Sequence, residues 1–141
     1  MNVLVAYDGS DGAEEALRFA RRVSGDAGDL IALHVINPFI DAADIVAPTR
    51  IEAVAMLHGR FETALHERLA SMGAPAPEGI VNELDRGEDL AACIDRIASE
   101  RNVDLIAIAS RRAAGLRGLA LGSITQEVLR IAARPVVVVR A

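Results

Sequence analysis

Candidate ligand-binding residues follow two short apolar runs of the sequence. Asp8 comes directly after the run 3–7, and a loop rich in arginine and glycine, 110–122, follows the run 105–109. The loop ends at Gly122 and Ser123, where a helix is predicted to begin. The N–H groups of a helix start, together with the helix dipole, favour an anion such as phosphate. These positions predict a pocket for a phosphorylated ligand.

The same residues also have purely structural interpretations. Asp8 precedes a glycine and a serine, a composition that suits a strand-to-helix turn. Ser123 is followed three residues later by Gln126, which is the spacing of a capping box. The arginines of the loop can be solvated surface charges. For each position the binding role and the structural role remain open, and the two can coexist.

The basic residues exclude several kinds of chemistry. All 15 residues of the Lys+Arg class are arginine, so a P-loop lysine, a Schiff-base lysine and a pyridoxal-phosphate site are excluded. A G-x-S-x-G elbow is also absent from the sequence. His58, Glu62 and His66 recur every four residues on a predicted helix, but no fourth metal ligand accompanies them. We therefore predict neither catalytic residues nor a metal site.

Length, charge and cysteine content indicate one soluble domain that occupies 1–141. The net charge is -5 and the pI about 5.2, which argues against a nucleic-acid partner. Cys93 is the single cysteine and lies among apolar neighbours, so we expect a buried thiol in a reducing compartment. No apolar stretch approaches the roughly 18 residues of a membrane span. We expect a cytoplasmic protein that does not bind a membrane.

The elements that must position these residues alternate along the chain. Apolar runs alternate with amphipathic segments, a pattern typical of a parallel sheet covered by helices. Capping boxes are predicted at Asp11 with Glu14 and at Thr49 with Glu52, and further helices over 89–101 and 123–132. The predicted strands are 3–7, 30–36, 80–84, 105–109 and 135–139. The third strand carries polar residues and is expected at a sheet edge.

The last strand contains four consecutive valines, Val136, Val137, Val138 and Val139. A bare sheet edge of this composition would be prone to aggregation. We therefore expect a partner subunit to cover this strand.

Six short segments follow one another in a characteristic order along the chain: VLVAYDGS at 3–10, HVI at 34–36, RG at 86–87, DLI at 104–106, LGS at 121–123 and PVVVV at 135–139. Together they resemble the universal stress protein family over essentially the whole chain. The resemblance implies an open sheet of five parallel strands in the order 3-2-1-4-5, with helices on both faces, and homodimers that pair through the last strand.

The resemblance also implies which residues form a nucleotide site. In members that hold ATP, the ends of the first two strands frame the adenosine, and a G-x2-G-x9-G-[ST] pattern holds the phosphates. The corresponding positions here are Ala6, Tyr7, Asp8 and Val35 for the adenosine and Ala109, Arg112, Gly122 and Ser123 for the phosphates. Two of the pattern's glycines are therefore replaced, and a Cβ at such a position takes room from the phosphates. The Arg112 side chain either fills the phosphate pocket or pairs with a phosphate as a substitute donor.

Three functions follow from this resemblance. The first is a small dimeric stress-response module with an ATP-type pocket, able to hold ATP with magnesium despite the degraded glycine pattern. The alternative is a pseudo-site protein that binds no nucleotide and acts through unidentified protein partners. A third is an ATP-using enzyme related to adenylating proteins of this fold, for which the first loop is only a faint match. We predict a protein that is not an enzyme.

Overall fold

The sheet of the computed structural model, which describes residues 1–110 and 122–140, has five parallel strands in the order β3-β2-β1-β4-β5. The predicted α/β class, strand order and parallel pairing are all confirmed. The elements are β1 (Val3–Ala6), α1 (Asp11–Ser24), β2 (Leu30–Ile36), α2 (Arg50–Ala70), β3 (Glu78–Glu83), α3 (Leu90–Glu100), β4 (Leu105–Ser110), α4 (Ser123–Ile131) and β5 (Val136–Arg140).

Helices cover both faces of the sheet, as predicted. Alternate residues of each strand point to opposite faces, so Leu4 of β1 packs with α3 and α4 while Val3 and Val5 pack with α1 and α2. All three side chains are completely buried. Burial on both faces explains why the central strands read as continuous apolar runs.

Four of the five strands differ from prediction by one or two residues at an end. β1 ends at Ala6, which leaves Tyr7 in the following turn, and β3 begins at Glu78, two residues earlier than expected. β3 ends at Glu83, one residue early; β4 ends at Ser110, one residue late; and β5, Val136–Arg140, lies one residue later at both ends.

Gly79, near the start of β3, has no side chain, which lets α2 pack closely on the strand. A Cβ built there would lie 3.0 Å from Leu65 Cδ2. β3 lies at the sheet edge, as its polar residues predicted.

The helix starts confirm one predicted cap and correct two others. Thr49 caps α2 by accepting a hydrogen bond from the N–H of Glu52 at 3.1 Å, as predicted. The cap of α1 is Ser10 rather than Asp11, because the Ser10 hydroxyl lies 3.2 Å from the N–H of Ala13. The capping box at Ser123 is wrong: Gly122 is the N-cap of α4, and Ser123 is its first helical residue.

β5 forms the opposite edge of the sheet and pairs with β4. Its four valines are half-buried: Val136 and Val138 pack on one face, and Val137 and Val139 pack on the other. The homodimer through this strand stays a prediction. Among the helices in the described residues, none has the length and apolar character needed to cross a membrane.

Candidate functional site

The carboxyl ends of β1 and β4 lie at the point where the strand order reverses. The chain places β2 and β3 on one side of β1 and then returns to place β4 and β5 on the other side. A crevice forms at such a reversal, and ligands of open parallel sheets bind there. The predicted adenosine positions Ala6, Tyr7 and Asp8 lie at this point; Ala6 and Tyr7 are half-buried, and Asp8 is exposed.

Asp8 and Ser10 organise the turn that leaves β1. The Asp8 Oδ1 atom accepts a hydrogen bond from the N–H of Ser10 at 3.0 Å. Gly9 between them has φ of 82°, a left-handed conformation that favours glycine. The structural role predicted for Asp8 is therefore present, and its carboxylate remains exposed at the carboxyl edge.

His34 joins the ends of β1 and β2, although it was not among the predicted site residues. Its Nδ1 lies 3.1 Å from the carbonyl oxygen of Tyr7, and since a carbonyl only accepts, Nδ1 carries the hydrogen. The imidazole stacks on Phe61 of α2, with ring centroids 4.0 Å apart. Burial lowers the pKa of His34, which favours the neutral ring. Val35 follows on β2 and packs against the α3–α4 side of the sheet.

A cluster of Tyr7, Glu14 and Arg68 ties the end of β1 to α1 and α2. The Tyr7 hydroxyl donates to Glu14 Oε1. The Arg68 Nη2 atom lies 2.7 Å from Glu14 Oε2, and Nε lies 3.0 Å from each carboxylate oxygen. Hydrogen bonding from Arg68 lowers the pKa of Glu14. Burial, together with the Glu14 carboxylate, raises the pKa of Tyr7 to about 12. The phenol is therefore neutral and held in place at physiological pH.

The start of α4 is attached to the end of β4. The buried hydroxyl of Thr125 donates to the carbonyl of Ala109 at 3.2 Å. Gly122 caps α4 without a side-chain hydrogen bond to the first turn, and Ser123 is exposed beside it. Thr125 was missed by sequence reasoning, although its place in the first turn of a helix that follows a strand was the available signal.

Because β4 pairs with β1, the predicted positions at the two strand ends share one edge of the sheet. The structure thus brings Ala6, Tyr7, Asp8 and Val35 to the same edge as Ala109, Gly122 and Ser123. Arg112 lies outside the described residues.

The histidine helix face and the single cysteine, which the sequence also singled out, are not among the predicted site residues. His58 lies between two carboxylates, with Nε2 3.9 Å from Glu62 and Nδ1 3.8 Å from Glu83. Within 1–110 and 122–140, no three His, Cys, Asp or Glu side chains form a group able to hold a metal ion. Cys93 is completely buried, as predicted, and burial raises its pKa to about 11.

The sequence model of the universal stress protein family matches residues 1–140. The chain belongs to this family. A universal stress protein of Thermus aquaticus, found beside a sulfhydrylase gene, is 30% identical over 139 residues, which are 98% of this chain and 97% of the relative. A universal stress protein of Mycolicibacterium smegmatis is 33% identical over 98% of this chain but only 45% of its own length.

Solved universal stress proteins have the same fold. A family member from Burkholderia pseudomallei matches with a TM-score of 0.70 and 26% identity over 99% of this chain and 96% of its own. One from Archaeoglobus fulgidus, solved in complex with dAMP, matches with a TM-score of 0.63 and 23% identity over 98% and 96% of the two chains. Another, in complex with cAMP, has a TM-score of 0.62 and 20% identity over 99% and 96%.

Proposed function

We infer that this universal stress protein binds an adenine nucleotide at the carboxyl edge of β1, β2 and β4 and acts as a non-catalytic stress-response module. The observation that carries the proposal is the attachment of α4 to β4 by the Thr125–Ala109 hydrogen bond. This bond ties the first turn of α4, whose N-cap Gly122 has no side-chain hydrogen bond, to the carboxyl end of β4, the neighbour of β1. The dAMP and cAMP bound to two solved proteins of this fold make an adenine nucleotide the first ligand to test.

The base and ribose are assigned to the β1–β2 side of the crevice. Ala6 and Val35 supply apolar surface there, and the exposed Asp8 carboxylate can accept hydrogen bonds from ribose hydroxyls. The backbone at this side is held firmly, since the N–H of Tyr7 donates to Leu33 at 2.8 Å and its carbonyl accepts from His34. Backbone that is already ordered before the ligand arrives lowers the entropic cost of binding.

The phosphates are assigned to the start of α4. The first N–H groups of the helix have no intrahelical partner, and the N-cap Gly122 brings no side chain between them and a ligand. The Ser123 hydroxyl, exposed at the first helical position, adds a donor. With ATP, magnesium would neutralise part of the phosphate charge.

Two side chains at the site have arrangements that suit binding rather than catalysis. The Tyr7 phenol has a pKa of about 12 and already donates to Glu14, so it is not poised as a general base. The Nδ1 of His34 is engaged by a backbone carbonyl. Both groups hold the site in position.

A pseudo-site protein is the second candidate, and the replacement of two motif glycines by Ala109 and Arg112 favours it. Arg112→Gly distinguishes two possible roles of this side chain, blocking the pocket or binding a phosphate. If the side chain occludes the pocket, the substitution raises ATP affinity. If it binds a phosphate, affinity falls by about 1.5 to 3 kcal/mol.

The dimer through β5 is part of the proposal. The valines of β5 are half-buried, and within the described residues this strand pairs with β4 alone. A second β5 would cover that open edge. Sedimentation at micromolar concentration tests the dimer, with Val138→Lys expected to weaken it and a monomeric wild type contradicting it.

Thermal unfolding with and without millimolar ATP and magnesium tests nucleotide binding, after mass spectrometry for co-purified nucleotide. Ligand at 100 times its dissociation constant stabilises by about 2.7 kcal/mol, which raises the unfolding midpoint by about 8 °C in a domain of this size. Asp8→Asn is expected to reduce the shift, whereas the matched control Asp11→Asn, on an exposed aspartate of α1, is expected to preserve it. The absence of both a shift and a co-purified nucleotide favours the pseudo-site protein.

A further inference from the structure

Exposed apolar side chains concentrate in the connection between β2 and α2. Eight large hydrophobic side chains of the described residues are exposed, and four of them fall within 39–51. We call these four the β2–α2 surface: Phe39, Ile40, Val46 and Ile51, which are 66%, 71%, 95% and 83% exposed. Single exposed apolar residues are ordinary, but a cluster marks an interaction site.

The tip of this connection is an ordered turn. The N–H of Asn37 donates to Asp41 Oδ2 at 2.7 Å, and the N–H of Phe39 donates to Asn37 Oδ1 at 3.0 Å. The N–H of Asp41 donates to the carbonyl of Asn37 at 2.9 Å. These reciprocal bonds fix the turn in which the side chains of Phe39 and Ile40 point toward solvent.

A separate set of apolar residues anchors the connection from below. Ala42 is buried, and Ile45 and Ala47 pack with it against Ile36 and Leu57. The connection therefore already fills its own small core. The outward residues are an additional apolar set that makes no contribution to that core.

Phe39 links the loop to the first turn of α2. The Arg50 guanidinium lies over its ring, 4.8 Å from the centroid, within the range of a cation–π contact. Ile51 follows directly on the helix. The loop and the helix start therefore form one surface.

The rim of this surface is acidic. Asp41, Asp44 and Glu52 are exposed around it, and none of the ion pairs among the described residues includes any of the three. Arg50, at the start of α2, lies against Phe39. A second copy of the same surface would bring six carboxylates together, and like charges across an interface are unfavourable.

We propose that the β2–α2 surface docks an amphipathic helical segment of a partner protein that carries apolar side chains flanked by lysine or arginine. The apolar side chains bury Phe39, Ile40 and Ile51, and the cations meet the acidic rim, the usual division between an apolar interface centre and a polar rim. The proposal does not depend on nucleotide binding.

The test uses two synthetic amphipathic helices, one of leucine and lysine and one of leucine and glutamate, titrated into the isotope-labelled full chain. The leucine–lysine peptide is expected to shift the amide resonances of residues 37, 39–41 and 50–52. Ile40→Ser with Ile51→Ser should lower its affinity at least about tenfold, or about 1.4 kcal/mol. Both residues are exposed, so the variant should fold. The matched control, Ile124→Ser with Leu129→Ser on α4, should keep the affinity.

Three results would overturn the proposal. Equal binding of the leucine–glutamate peptide would remove the role of the acidic rim. An equal loss of affinity in the α4 control, or shifts confined to other residues, would place the peptide elsewhere. Self-association that Ile40→Ser with Ile51→Ser abolishes would make a second copy of the chain the occupant.

Discussion

Glu14→Gln tests whether the Tyr7–Glu14–Arg68 cluster holds the end of β1 in place. The substitution keeps the size of the side chain and an acceptor for Tyr7 but removes the charge that Arg68 contacts at 2.7 to 3.0 Å. Hydrogen bonds to charged groups contribute about 1.5 to 3 kcal/mol. The Glu14 and Arg68 side chains are 20% and 31% exposed, so solvent screens part of the interaction. We expect a loss of about 2 kcal/mol in the free energy of unfolding.

The assay is denaturant and thermal unfolding at neutral pH, where this loss corresponds to about 6 °C in the midpoint. Glu15→Gln is the matched control on the same helix. Its partner Arg18 and Glu15 itself are 53% and 51% exposed, and such surface pairs contribute about 0 to 1 kcal/mol. Equal losses for Glu14→Gln and Glu15→Gln would refute the reasoning.

The pH dependence of unfolding in Glu14→Gln tests the direction of the Glu14 pKa shift. Arg68 lowers the pKa of Glu14 in the folded protein below its ordinary 4.5. The stabilisation is therefore fully present above the unfolded pKa and is lost as pH falls through the lower folded value. The unfolding free energies of wild type and Glu14→Gln should converge toward acid pH, and a constant difference would contradict the assignment.

Three further predictions concern single side chains. Ser10→Ala removes the N-cap of α1 and should lower stability by about 1 kcal/mol in denaturant unfolding, whereas Asp11→Ala should cost less. Tyr7 is the one tyrosine of a chain without tryptophan, so an ultraviolet titration reads it directly; its midpoint should be near 12 in the folded protein and near 10 in denaturant. Cys93 should resist thiol reagents at pH 8 until the protein unfolds, because it is buried and its pKa is about 11.

The sheet could be predicted because its central strands are apolar on both faces. The run at β2 gave its bounds without error, since Leu30–Ile36 is buried along most of its length between two helical layers. The edge position of β3 followed from its polar residues. Strand order came from the family resemblance, which supplied the crossover geometry that periodicity alone does not contain.

Local rules failed where tertiary contacts competed with them. Glu14 has the spacing of a capping box, but its carboxylate instead accepts hydrogen bonds from Arg68, which lies 54 residues away in the sequence. Ser10 and Asp11 are adjacent cap candidates, and the turn at Asp8 and Gly9 decides for Ser10. Such choices depend on contacts between distant elements.

The binding roles of the site residues stay predictions, and only their positions in the fold can be compared with the structure. The strand-end positions follow from topology, and the structure brings them to one edge. Thr125 and His34 act through bonds to the backbone carbonyls of Ala109 and Tyr7, and the sequence shows the position of Thr125 in a first helical turn but not the partner of either side chain. The turn that presents Phe39 likewise depends on a hydrogen bond from its N–H to the side chain of Asn37.

The most direct test of nucleotide binding is amide resonance mapping of the labelled chain during titration with ATP and magnesium, with GTP as the control nucleotide. Binding at the carboxyl edge predicts saturable shifts at Ala6, Tyr7, Asp8, Val35, Gly122 and Ser123, with weaker or no response to GTP. Saturating ATP that leaves these six amides unchanged would contradict the account.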